Sequence, residues 1–161
     1  MSLPSRLTPF LAALLLCFTS GLEADPGPIY SGPKGVPLVA LTFDDGPRQF
    51  TTPRLIALLD ELSVRGTFFI VGAQAVQFPG ILEDLVSKGH TVANHSWSHR
   101  NITQLDRETL LEELTFCSQA IETITGVRPR FFRPPGGKWD RRSLAVVQEL
   151  GLTTVLWDVT G

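Results

Sequence analysis

The chain is 161 residues long, 43% hydrophobic and 19% charged, which suits a domain with a sizeable core and argues against wholesale disorder. Its formal net charge is −2, with no long run of one sign, so no basic nucleic-acid face is expected.

At the start, Arg6 is followed by the apolar run Phe10 to Phe18 and, further on, by Ala24. A basic start, a short apolar run and a small residue at the cut predict a signal peptide over residues 1–24 and a secreted or cell-envelope protein. The run is too short for a bilayer, so no stable membrane span is expected after cleavage. Residues 25–36, rich in proline and glycine, read as a linker. The domain is expected over 37–161.

From there apolar strands alternate with amphipathic helices. Leu38–Phe43 reads as a buried strand, followed by a helix from about Pro53 with an apolar face of Leu55, Leu58, Leu59 and Leu62. Thr67–Val71 is the second strand, with short helices at Ala73–Gln77 and Ile81–Lys88, the latter closed by Gly89. Thr91–Ala93 is the third strand. A long helix from Asp106 to Thr123 carries Leu110, Leu114, Cys117 and Ile121 on one side, with Gly126 past its end. Cys117 therefore reads as a small buried apolar residue. Phe131-Phe132, a helix at Arg141–Leu150 and a strand at Thr153–Trp157 complete the pattern. Strands separated by helices imply parallel pairing in an α/β fold, in which chemistry gathers at strand ends.

The unusual polar residues all fall at such ends. Asp44 and Asp45 close the first strand before Gly46-Pro47; adjacent carboxylates repel unless a cation is near, although the same four residues also read as a solvated turn. His95 and His99 follow the third strand, and a helical turn there would put both imidazoles on one face at metal-ligand spacing. Two surface histidines would be the plain alternative, yet the chain has only three. Arg133 follows the fourth strand; free, it would be a surface charge, and near Asp44 it could hold that carboxylate in place. The Pro134-Pro135-Gly136-Gly137 turn exposes backbone N–H groups suited to an oxyanion. His90, ahead of the third strand, reads as structural.

Together these segments resemble the polysaccharide deacetylase family, also called the NodB-homology domain or carbohydrate esterase family four, over roughly Val36 to Gly161. Thr42–Pro47, His95–His99 and Arg133–Gly137 match its first three motifs in order. The resemblance implies a distorted (β/α) barrel of about seven strands, of which about five are visible here. It implies that Asp45, His95 and His99 bind a divalent metal, most simply Zn2+. Asp44 would then be the general base, Arg133 its orienting partner, and the Gly136 N–H part of the oxyanion hole. The implied partner is an acetylated polysaccharide or oligosaccharide, such as chitin oligosaccharide or peptidoglycan, from which acetyl groups are hydrolysed.

Some features depart from the family. Gly136 stands where tyrosine is common. Trp157–Gly161 resembles the opening of the fourth motif, with Thr160 at a usually acidic position, and the histidine of the fifth motif does not occur. The expectation is a piece of a longer enzyme with an open, unpaired edge at Thr153–Trp157. The alternative is a catalytically inactive carbohydrate- or metal-binding fragment of the same fold. Trp139 reads equally as a sugar-stacking platform or as core packing.

Overall fold

The computed structural model describes residues 27–35 and 37–160; the expected signal peptide lies outside them. Five strands, β1 (Thr42–Gly46), β2 (Thr67–Ile70), β3 (Thr91–Asn94), β4 (Phe131–Phe132) and β5 (Thr153–Thr154), form one sheet in sequence order. Every pair is parallel. The crossovers are α1 (Thr51–Glu61), α2 (Gly72–Gln77) with α3 (Pro79–Ser87), α4 (Arg107–Thr125) and α5 (Arg141–Glu149). The sheet is open: β1 and β5 do not pair with one another. Among the described residues no helix is long and apolar enough to cross a membrane.

Local chemistry sets the helix ends. Asp106 caps α4 by accepting from the Thr109 N–H at 2.8 Å, and Gly126 ends the helix at φ 70°, a conformation that favours glycine. Asp140 and Ser143 form a reciprocal capping box on α5. Apolar side chains from one face of the sheet then meet the helices. Phe68, Ile70 and Val92 pack with Ile56, Leu59, Leu82, Leu85, Cys117 and Ile121, while Phe132 packs with Leu110, Leu114, Val146 and Val147. Cys117 is buried as expected, and burial pushes its thiol pKa up to about 12, so it is inert at neutral pH.

Three sequence expectations need correction. The first strand begins at Thr42 rather than Leu38, and Leu38 and Val39 are 82% and 86% exposed. Its partner β2 begins only at Thr67, opposite Thr42, and the last backbone bond toward it from the preceding residues is at Leu41, whose carbonyl accepts from the Thr67 N–H at 2.9 Å. On α1 the buried residues are Thr52, Ile56 and Leu59, whereas Leu58 and Leu62 are exposed. A helix starting at Thr51 turns the 52, 56 and 59 positions toward the sheet and Leu58 and Leu62 away from it. Finally, the outer edge of β5 is not bare. Ile29 bridges it in parallel, donating to the Thr154 carbonyl at 2.9 Å and accepting from the Leu156 N–H at 2.7 Å.

Candidate metal and catalytic centre

Register alone assembles the site. Gly46 pairs with Ile70, Ile70 with Asn94, and Asn94 with Phe132. The residues adjoining these positions, Asp45 just before Gly46 and His95 and Arg133 just after Asn94 and Phe132, therefore form a row along one rim. The β1–β2 register shifts between Phe43 and Gly46, a bulge that breaks strict side-chain alternation. Asp45 sits in it at φ 64°, which is strained for a residue with a side chain. The consequence is functional: adjacent carboxylates take adjacent but separate partners. Asp44 faces Arg133, and Asp45 faces both histidines.

Arg133 is 2% exposed and every contact it makes is directional. Nη1 donates to Asp44 Oδ1 at 2.7 Å and to Thr42 Oγ1 at 2.9 Å. Nε and Nη2 donate to the Val155 and Leu156 carbonyls at 3.2 and 3.0 Å. Its guanidinium carbon lies 3.9 Å from the Phe69 ring centroid, so an aromatic floor covers one face. The Asp44 side chain stays 31% exposed, accessible to a water or a substrate. On the other side of the turn Gln74, with its amide oriented to donate, reaches the Pro47 and Asp45 carbonyls at 2.7 and 3.0 Å.

His95 and His99 come together, though not by the expected helical turn. Residues 95–99 form an arc outside any helix, with Ser96 at φ 65° and His99 at φ 59°. The arc is pinned rather than coiled. Ser96 N–H donates to Asn94 Oδ1 at 2.8 Å and His99 N–H to Ser96 Oγ at 3.0 Å. The N-terminal amides of α2, from Gly72 and Ala73, each donate at 3.0 Å to the Ser96 and Trp97 carbonyls. These bonds satisfy backbone groups that a helix would have paired internally.

The donor set fits a metal ion. Ligand atoms of Asp45, His95 and His99 all lie within 4.8 Å of one another. His95 Nδ1 is 2.7 Å from the Arg133 carbonyl; a carbonyl only accepts, so Nδ1 carries the proton and Nε2 keeps its lone pair. Burial, the largest influence, lowers the His95 pKa and favours this neutral form. That lone pair faces Asp45 Oδ1 at 3.4 Å. That spacing suits a cation between them, since donors on a tetrahedral zinc are about 3.3 Å apart. His99 Nε2, on the exposed side, is 2.9 Å from the same oxygen.

The remaining sequence-predicted residues fall as follows. Gly136 is exposed, at φ 64°, in the turn that follows β4 and Arg133. Gly137, at φ 68°, has no space for a side chain, because a Cβ there would lie 2.7 Å from the Trp157 ring. Trp139 is partly exposed rather than part of the core. His90 is structural: its Nδ1 accepts from the Gly66 N–H at 3.1 Å. Sequence reasoning missed Asn94, Gln74 and Glu113, which shape the site without touching its centre. Glu113 alone carried a signal, a charged residue adjoining the apolar stripe of α4.

The polysaccharide deacetylase family profile matches residues 31–155. Chitin deacetylase 1 of Saccharomyces cerevisiae is 39% identical over 118 residues, which is 73% of this chain and 38% of that protein. The peptidoglycan-N-acetylglucosamine deacetylase of Bacillus cereus is 33% identical over 130 residues, 81% of this chain and 47% of that protein. A solved peptidoglycan N-acetylglucosamine deacetylase superposes with a TM-score of 0.77 at 31% identity, covering 79% of this chain and 59% of the other. The chain thus spans less than half the length of these two curated relatives. By its three motifs in order, the parallel sheet that aligns them and these similarities, the chain belongs to the polysaccharide deacetylase family.

Proposed function

We infer that this chain carries the metal- and base-bearing part of an exported hydrolase that removes acetyl groups from an N-acetylated polysaccharide such as chitin or peptidoglycan. The observation that supports it most is the division of labour between neighbours: ligand atoms of Asp45, His95 and His99 cluster within 4.8 Å of one another, while Asp44 is held 2.7 Å from a buried arginine. Asp45, His95 and His99 would hold a divalent cation, with zinc favoured by its two imidazoles and one carboxylate. When bound, such an ion supplies Lewis-acid polarisation and acidifies water, leaving open positions for both.

The chain's own groups complete the base side of the reaction. Asp44 takes the proton of the attacking water, and its partner Arg133 fixes which oxygen lone pairs point toward the rim. Thr42 and the Val155 and Leu156 carbonyls just after β5 hold the guanidinium, so Asp44 needs little reorganisation as charge develops. The Gly136 N–H, in the exposed turn after β4, suits the oxyanion. Amide hydrolysis then yields acetate and a free amine on the sugar. That both relatives are named for acetylated glucosamine polymers supports this substrate class, and an extracellular polymer agrees with the leader-like first residues.

The test is acetate release from N-acetylglucosamine oligomers and from peptidoglycan, with and without zinc, by the native gene product and its Asp44→Asn variant. Zinc-dependent release that disappears in the variant upholds the reading. Zinc binding without acetate release from these polymers or from acetylxylan overturns it, and leaves the inactive metal- or carbohydrate-binding reading.

A further inference from the structure

Glu113 is a charged residue where α4 should be apolar. It is only 7% exposed, on the inward side of the helix with Leu110, Leu114 and Cys117. No ion pair joins it to Lys or Arg among the described residues. Instead both carboxylate oxygens are given to one residue of the histidine arc: Oε2 accepts from the Ser98 N–H at 2.8 Å and Oε1 from the Ser98 hydroxyl. Burying a carboxylate is costly unless its oxygens are hydrogen-bonded, so this placement needs a reason beyond packing.

We propose that Glu113 is a positioning residue for the metal centre, acting through Ser98 to hold His99 in the ligand set before an ion arrives. The inference rests on the metal-site reading above. The two histidines differ in how they are anchored. His95 is buried and directly follows β3, with its ring held by the Arg133 carbonyl. His99 sits at the far end of the arc with a side chain 43% exposed, and its ring meets only the other members of the set, with Nε2 2.9 Å from Asp45 Oδ1 and the ring edge against His95.

Its backbone is at φ 59°, a conformation that an untethered histidine would leave. Between the two lies Ser98, and Glu113 is its tether. The α2 amides grip the arc at Ser96 and Trp97; Glu113 grips it one residue later, from α4. Opposed anchors on two helices leave the His99 end little freedom. Ion binding then costs less ordering than it would in a loose arc.

Zinc affinity, measured by chelator competition on the native chain, tests this apart from activity. Glu113→Ala is expected to weaken zinc binding about 10- to 100-fold, the usual cost of losing an outer partner of a ligand. Glu113→Gln, which can still accept from the Ser98 N–H and donate to its hydroxyl, is expected to restore most of that affinity. In a His99→Ala background, Glu113→Ala should have little further effect, because the group it positions is gone.

If Glu113→Ala does not fold, Ser98→Ala removes one of the two bonds at an exposed position and should weaken zinc about 5-fold. Parental affinity in the variant used, or an equal loss with and without His99, overturns the proposal. Parental zinc binding alongside an unaffected Glu113→Ala defeats this inference alone. Failure of the parent to bind zinc defeats the metal reading and the inference with it.

Discussion

Arg133 shows how much one side chain is asked to do. Its planar fork meets four acceptors between 2.7 and 3.2 Å, on β1 and in the segment after β5. A lysine ammonium has the same charge but three donors on a single atom, and cannot span those directions. Arg133→Lys should therefore leave buried carbonyls and part of Asp44 unpaired, costing about 3 kcal/mol of stability and most of the activity. Denaturant unfolding checks the first part; a loss under about 0.5 kcal/mol would show that the fork is dispensable. This residue was legible in the sequence because it follows an apolar strand. Its hydrogen bonds to Val155 and Leu156 were not, since they depend on where β5 ends, and strand ends are set by pairing rather than by composition.

At the scale of elements, the histidine arc brings its two imidazoles together by a route that residue spacing alone does not give. Spacing of i and i+4 predicts a helix; the arc reaches the same convergence through hydrogen bonds to Asn94, α2 and α4, none of which a spacing rule can see. Gly72 is the tightest of these joints. A Cβ there would lie 2.6 Å from Trp97 and 2.9 Å from the Cys117 backbone, so Gly72→Ala must push α2 away from the arc. We expect a loss of about 2 kcal/mol in denaturant unfolding together with weaker zinc binding; unchanged affinity would mean that α2 does not hold the arc. The lower end of β3 gives a separate prediction. Burial lowers the His90 pKa despite nearby Asp60 and Asp84, and its Nδ1 must be bare to accept from Gly66. The unfolded chain thus takes up a proton before the folded chain does. This contribution is complete above about pH 6.5 and is lost as pH falls through the lower folded value. His90→Asn keeps an acceptor without a titration, so its thermal midpoint should fall less between pH 7 and 5. His95 shifts in the same direction, so some slope remains; an unchanged slope would remove His90 from the account.

Across the whole molecule, the alternation of strands and helices made the parallel sheet and its chemical rim readable from sequence. The covering of the β5 edge was harder to foresee, because Ile29 pairs with it from a stretch whose proline and glycine content predicts no strand. The rim itself is tied across the sheet at two levels: Arg133 links β4 to β1 and to the segment after β5, and the Asp45, His95 and His99 cluster joins β1 to the arc after β3 across β2. An ion bound only by the folded chain should stabilise it by about 2.7 kcal/mol at a hundred times its dissociation constant. For a chain of this size that is a rise of about 5–10 °C in the thermal midpoint. Asp44→Asn and Asp45→Asn make a matched pair for locating the ion. Each is isosteric, each removes one negative charge from the same turn, and asparagine tolerates the positive φ of position 45. A diffuse attraction of zinc to the acidic turn would weaken equally in both. Coordination by Asp45 predicts otherwise: Asp45→Asn should lose most of the zinc-induced rise, and Asp44→Asn should keep it while losing about 100-fold or more in acetate release. If the two variants lose the rise equally, the carboxylates share the ion and Asp44 is not free to serve as the base.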